Sequence, residues 1–332
     1  MSDNSIEKPV KTAVSEIPNL LQSLLVGLRI GGFDEIARND RAAQIQEHLQ
    51  DDSIQAFQSH FDALEGVSSS TWFAMLYQIP AYLAEDIDSL QSILNDMRYN
   101  HPLKIINEFP KKVEMLSRYM PPYEFKRYCG FEDSVPDPWP DILTEYREIV
   151  VQFYEDWFKE KWKEVSELLE TAATDLKPMF RKHDWIAAWE DKTSIEFPYP
   201  WFIVELIDPT TTQGTSLLAD RDGFYAHVDP LMVVTMVSHE ICTHLLYNAT
   251  AINHPVVGPL IQKNLERYLR ANELVSWSLN EQVMRGMGYD WVMSDSFQWM
   301  GDVRDDIRTL VSHMKDAAAW EIIEEAYSLV QT

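Results

Sequence analysis

Apolar positions recur at helical spacing from Ile17 to about Ala188. The pattern breaks where Gly, Asn and Pro collect: at Gly31-Gly32, Asn100-His101-Pro102, Pro121-Pro122 and between Pro136 and Pro140. Such residues interrupt helices, through backbone freedom or a missing N–H, so this region reads as one helix after another. The stretch from Ile142 to Thr171 predicts a long, charged helix. Its Trp157, Phe158, Trp162 and Val165 give it an apolar side for a core. Residues 1–17 read as a short disordered leader.

The pattern changes near Phe197-Pro198-Tyr199-Pro200. Trp201 to Ile207 is rich in β-branched and aromatic residues and predicts a strand. A polar loop, Thr210 to Asp222, leads to a second short strand opened by Gly223 and running from Phe224 to Val228. Asp229-Pro230 then signals a helix start, with Asp as N-cap and Pro at the first helical position. That helix runs from Leu231 to about Asn248. Further helices are expected over about Val257 to Met287 and about Gly301 to Leu329. The order predicts an α+β protein, predominantly helical, with a helical region at 18–195. A second domain at 196–332 carries a small sheet and the apolar helix.

A chain of 332 residues, 45% of them apolar, is long enough to bury a substantial core. Only 11 glycines agrees with a helical majority. The 53 acidic and 28 basic residues leave a net charge of −25. That field opposes nucleic acid and anionic membrane, whose binding needs clustered Lys and Arg. The two cysteines, Cys129 and Cys242, make no disulfide framework of the secreted kind. Residues 1–5 lack the basic-then-apolar order of a signal peptide. The most apolar run, Leu231 to Tyr247, carries His239, Glu240 and His244 and is a poor membrane span. A cytoplasmic location is expected.

Chemistry concentrates in Val237-Ser238-His239-Glu240-Ile241-Cys242-Thr243-His244. Neutral imidazoles bind Zn²⁺, and a Glu beside the first can act as general base for a metal-bound water. The spacing His-Glu-x-x-x-His is one residue longer than the common zinc-peptidase motif. On a regular helix residues five apart diverge by about 140°, against about 40° for residues four apart. A π-turn between Glu240 and His244 would restore both rings to one face, so a local helix distortion is expected there. Cys242 is expected to be a buried free thiol. A third ligand is best supplied by Glu273, which interrupts the stripe Leu265, Leu269, Glu273, Trp277. Glu266 lies on a solvated face, and Glu281 has Arg285 four residues on as an ion-pair partner.

His239-Glu240-x-x-x-His244 followed by helical Asn272-Glu273 resembles the gluzincin group of zincin-like zinc metallopeptidases. Its lengthened spacing is similar to that of dipeptidyl peptidase III. The likeness covers about Pro198 to Gly288, with Asn272 where an acidic pair begins in that family. It implies one zinc ion held by His239, His244 and Glu273, with Glu240 as general base, and hydrolysis of a peptide or protein substrate. A further donor would stabilise the oxyanion. Tyr289 stands first by its place after the third ligand, ahead of His227, Tyr247, His254 and His313. The second short strand, with His227, is a candidate edge for aligning substrate. Two other readings remain open: a helical non-haem iron enzyme, and a catalytically silent zincin-like module for binding or regulation.

Overall fold

The computed structural model describes residues 7–30, 37–49, 51–62, 72–100, 104–105, 139–209, 215–218, 220–227, 229–247, 249–291 and 303–330. Strand β1 (Val10–Ala13) falls inside the stretch expected to be a disordered leader. A four-residue strand carries no periodicity of its own; it forms because β2 (Phe202–Ile207) offers it an edge. Lys8 fixes the segment further, with Nζ 2.6 Å from Glu190 Oε1 and 2.8 Å from the Phe197 carbonyl.

Helix α1 (Glu16–Gly27) is apolar nearly all round and is buried from Ile17 to Gly27. Its Asn19 donates to the Leu206 carbonyl (2.9 Å) and accepts from the Asp208 amide (3.0 Å), which pairs the helix with the end of β2. Helices α2 (Asn39–Glu47) and α3 (Asp51–Asp62) follow. A Cβ on Gly27 would overlap Leu49 and lie 2.7 Å from Ile45 Cγ2, so only glycine lets α1 and α2 approach this closely. A π-turn, Ala74–Gln78, runs into α4 (Ile79–Leu83). Helix α5 (Ile87–Met97) opens on a capping box, with Asp86 accepting from the Ser89 amide at 2.8 Å.

The long charged helix is longer than the sequence suggests. Helix α6 (Trp139–Phe153) continues through a π-turn, Tyr154–Phe158, into α7 (Lys159–Lys182). Helix α8 (Trp185–Thr193) starts at the Asp184 cap and stops at Ser194, which is left-handed with φ 58°.

The sheet has four strands in the order β1-β2-β4-β3. Strand β3 (Thr215–Leu218) lies in what reads as loop, and β4 (Arg221–Tyr225) starts earlier than expected. The two form an antiparallel hairpin with Thr215 opposite Gly223. Helix α9 (Pro230–Leu246) matches its expected limits, and α10 (Ala249–Asn253) follows. The next expected helix is two, α11 (Val257–Lys263) and α12 (Leu265–Gly286). Asn264 is extended there, and its side chain caps α12 by accepting from the Arg267 amide at 2.9 Å. The last is also two, α13 (Val303–His313) and α14 (Ala319–Leu329). The fold is therefore α+β and predominantly helical.

The chain divides into two compact units. One unit comprises residues 1–11, 175–203 and 228–332; the other comprises 12–174 and 204–227. The first packs α9 between α8 and α12, with α13 and α14 also against α12. The second has its core around Trp139, Tyr146, Phe153, Phe57 and α1. No described helix is long and apolar enough to cross a membrane. The breaks expected at Gly31-Gly32, His101-Pro102, Pro121-Pro122 and Pro136–Pro138 lie outside the described residues, as does Cys129.

Candidate metal centre

Helix α9 begins as its sequence dictates, with Asp229 Oδ1 accepting from the Leu231 amide at 2.8 Å and Pro230 in the first turn. Every residue from Val233 to Leu246 except Glu240 is buried. Polar groups in such a helix must find partners inside the protein. Ser238 Oγ accepts from Trp189 Nε1 on α8 at 3.0 Å. Three carbonyls of α9 are met by side chains of α12. Asn280 Nδ2 donates to Thr235 O (2.9 Å), Asn272 Nδ2 to Thr243 O (3.2 Å), and the Tyr268 hydroxyl to Leu246 O. As α12 is followed upward in number, its partners on α9 fall, which is an antiparallel helix pair.

This ladder corrects the expected core face of α12. Leu269, placed there by spacing, is 37% exposed, whereas Asn272, Ser276 and Asn280 are buried. The contact face carries amides and a hydroxyl because it serves carbonyls of α9, and a search for apolar stripes passes over it. Glu273 sits at its margin with a side chain 37% exposed.

The distortion expected between Glu240 and His244 is absent: α9 is regular α-helix throughout. An inserted residue would turn everything beyond it by about 100°. That turn would carry Thr243 O away from Asn272 and Leu246 O away from Tyr268. A regular helix splits the motif into two pairs. His239 faces α12, with Nε2 3.0 Å from Glu273 Oε2. Glu240 and His244, four residues apart, share the other face with donor atoms within 4.8 Å of one another. His244 packs against Phe202, ring centroids 5.9 Å apart. The Thr243 hydroxyl lies 2.9 Å from the Glu240 carbonyl and 3.1 Å from Glu240 Oε2, which fixes that carboxylate.

The expected ligand set therefore fits a zinc ion in part. Two ligands of one tetrahedral zinc stand about 3.3 Å apart, close to the His239–Glu273 separation. His244 does not join them: the donor atoms of His239, His244 and Glu273 do not all lie within 4.8 Å of one another. Cys242 is a buried free thiol, and burial pushes its pKa far above the ordinary value. The competing acids are placed as the sequence suggests. Glu266 is exposed, and Glu281 pairs with Arg285 (3.1 Å) and Arg308 (2.7 Å).

Tyr289 is not gathered into the motif. Its ring packs on Trp185 (5.6 Å) and His183 (5.4 Å), under the Lys182 ammonium at 4.9 Å. Tyr247 caps α9 and lies by Tyr268, His254 lies against Trp320, and His313 is exposed at the end of α13. His227 falls beyond the end of β4, with Nε2 2.9 Å from Asp208 Oδ1. Asp208, which the sequence does not single out, also takes Arg41 Nε (2.6 Å) and Arg38 Nη1 (3.0 Å). Burial raises its pKa, but His227, Arg41 and Arg38 outweigh that and hold it below the ordinary carboxylate value. No family model, curated protein or solved structure matches this chain.

Proposed function

We propose that the α9–α12 pair is the centre of a zinc-dependent peptidase acting on a peptide or protein substrate. One observation carries the reading: an imidazole and a carboxylate from facing helices, His239 and Glu273, meet at 3.0 Å beside a second acid–imidazole pair on the same helix. When bound, the ion supplies a Lewis acid that polarises the scissile carbonyl and acidifies a water. His239 and Glu273 would hold it from two helices, and His244 would have to turn from its place beside Glu240 to be the third protein ligand. Glu240 is the one residue between Val233 and Leu246 that is not buried, so its carboxylate has access to water. It takes the proton from the nucleophilic water and returns it to the leaving amine. Thr243 steadies the oxygen that does so.

A second reading is favoured by the regularity of α9. With His244 turned from Glu273, the same residues suit a module that retains the shape of a zincin without its activity. Metal content and peptide-library hydrolysis, measured on the same preparation, separate the two. The peptidase reading expects one zinc per chain and hydrolysis of some library members. Glu240→Gln should then retain the metal and lose about 10²–10⁴-fold in turnover. Wild-type protein that takes up no zinc, or cleaves as well with Gln at 240, overturns it. Zinc uptake without cleavage selects the silent module.

A further inference from the structure

Glu205 lies on β2 and Asp208 just past its end; both are buried, in the same compact unit, and they are provided for unequally. Asp208 is met within 3.0 Å by Arg41, Arg38 and His227. Glu205 has a single cation, Arg221 of β4, whose Nη1 stands 3.6 Å away. Asp220, which precedes that arginine, is buried too and is bonded to the Tyr82 hydroxyl of α4. Strand alternation places Asp222 on the opposite face of β4 from Arg221. The close contacts of Glu205 come instead from Ser15 at the start of α1. Its amide lies 2.6 Å from Oε1 and its hydroxyl 2.9 Å from Oε2. Ser15 is the N-cap residue of α1, yet its side chain makes no cap, because Glu205 takes it. Tyr77 of the first π-turn also faces Glu205. Its hydroxyl is buried without a hydrogen-bond partner, and burial followed by Glu205 pushes its pKa well up, so it adds no charge.

We propose that Glu205 is a pH-operated latch: it carries a proton in the folded protein, holds the start of α1 against β2 as a neutral acid, and loosens that helix when the proton is lost. Full burial disfavours a charged carboxylate by up to about 3–5 pKa units, whereas one adjacent cation returns about 1–3. Arg221 belongs at the low end of that range, since its side chain is 24% exposed and stands beyond hydrogen-bond distance. Both Ser15 contacts survive protonation. A neutral carboxyl accepts the amide on one oxygen and donates its proton to the Ser15 hydroxyl from the other. Burial raises the pKa of Glu205, and Arg221 and Ser15 offset only part of the rise. With the folded value above the unfolded one, the stabilisation is fully present below the unfolded value and is lost as pH rises through the folded one. Asp208 acts in the opposite sense, because its folded value is depressed.

The test is a carbon-13 NMR titration of the side-chain carboxyls in the full-length protein, with Glu205 assigned through its own side-chain couplings. Its midpoint should lie above the ordinary glutamate value of about 4.3. Glu205→Gln, a neutral mimic, supplies the second readout. The unfolding constant of wild type divided by that of the variant should rise by up to about tenfold per pH unit between the ordinary glutamate value and the measured midpoint. Above that midpoint the α1 amides should exchange faster with solvent in wild type than in the variant; below it the two should match. A midpoint at or below the ordinary value, or a ratio that falls as pH rises, overturns the proton on Glu205. A raised midpoint with α1 exchange matching at every pH overturns the latch. Should the variant not fold, the wild-type midpoint decides the proton. The α1 exchange of wild type, corrected for its intrinsic pH dependence, then decides the latch.

Discussion

Among the described residues, two imidazole–carboxylate pairs have almost equal length, and their surroundings differ. His227 lies 2.9 Å from Asp208, and His239 lies 3.0 Å from Glu273. Asp208 is 5% exposed and clamped by Arg41 and Arg38, with a histidine that is itself on the surface. Around Glu273 the burial is reversed: the histidine is 2% exposed and the carboxylate 37%. The first arrangement saturates a buried charge, and such a group holds structure together. The second keeps an acid at the surface above a buried ring, which suits exchange with a ligand. Distance alone does not separate a structural pair from a chemical one; the other partners of the acid do.

The comparison breaks most visibly at Asp208. Asp208→Asn leaves the buried Arg41 guanidinium without its charge partner, at a cost of about 3–5 kcal/mol in urea unfolding. A loss below about 1 kcal/mol would reduce the cluster to an ordinary surface pair. The pH dependence sharpens the same point. Asp208 has its folded pKa depressed, so its contribution is fully present above the unfolded carboxylate value and fades as pH falls through the folded one. Wild type should lose stability faster than Asp208→Asn as the pH is taken below about 4. Parallel profiles would contradict the assignment. Glu273→Gln should change stability by less than about 1 kcal/mol, because the carboxylate is more than a third exposed, yet abolish stoichiometric zinc uptake. His227→Gln, at the exposed end of the other pair, should cost about 0.2–1 kcal/mol and leave zinc uptake unchanged.

What the sequence made legible was local chemistry. The Asp229-Pro230 start of α9 needs two adjacent residues and no partner, and its expected limits agree with the structure. The pairing of His239 with Glu273 was reached from residue types, though by way of a stripe of which α12 buries Trp277 and exposes Leu269. What remained hidden depends on contacts distant in sequence. Strand β1 exists because β2 is beside it, and the face of α12 is polar because it answers carbonyls on α9. The regular register of α9 was hidden for the same reason, since it is held by Asn272 and Tyr268, which lie far from the motif in sequence. The π-turn at Tyr154–Phe158 had no signal in the apolar pattern, which continues through it.

The interleaving of the two compact units restricts how this protein can be taken apart. The polypeptide changes allegiance four times, at 11/12, 174/175, 203/204 and 227/228. No uninterrupted fragment therefore consists of one body alone: residues 12–227 hold one of them whole but bring 175–203 of the other with it, and that other runs from the first residues to the last. Expression of a C-terminal piece beginning at residue 196 would omit α8, whose Trp189 reaches Ser238 on the motif helix. Dissection by truncation would report misfolding rather than function, and point substitution in the intact chain is the way to question it.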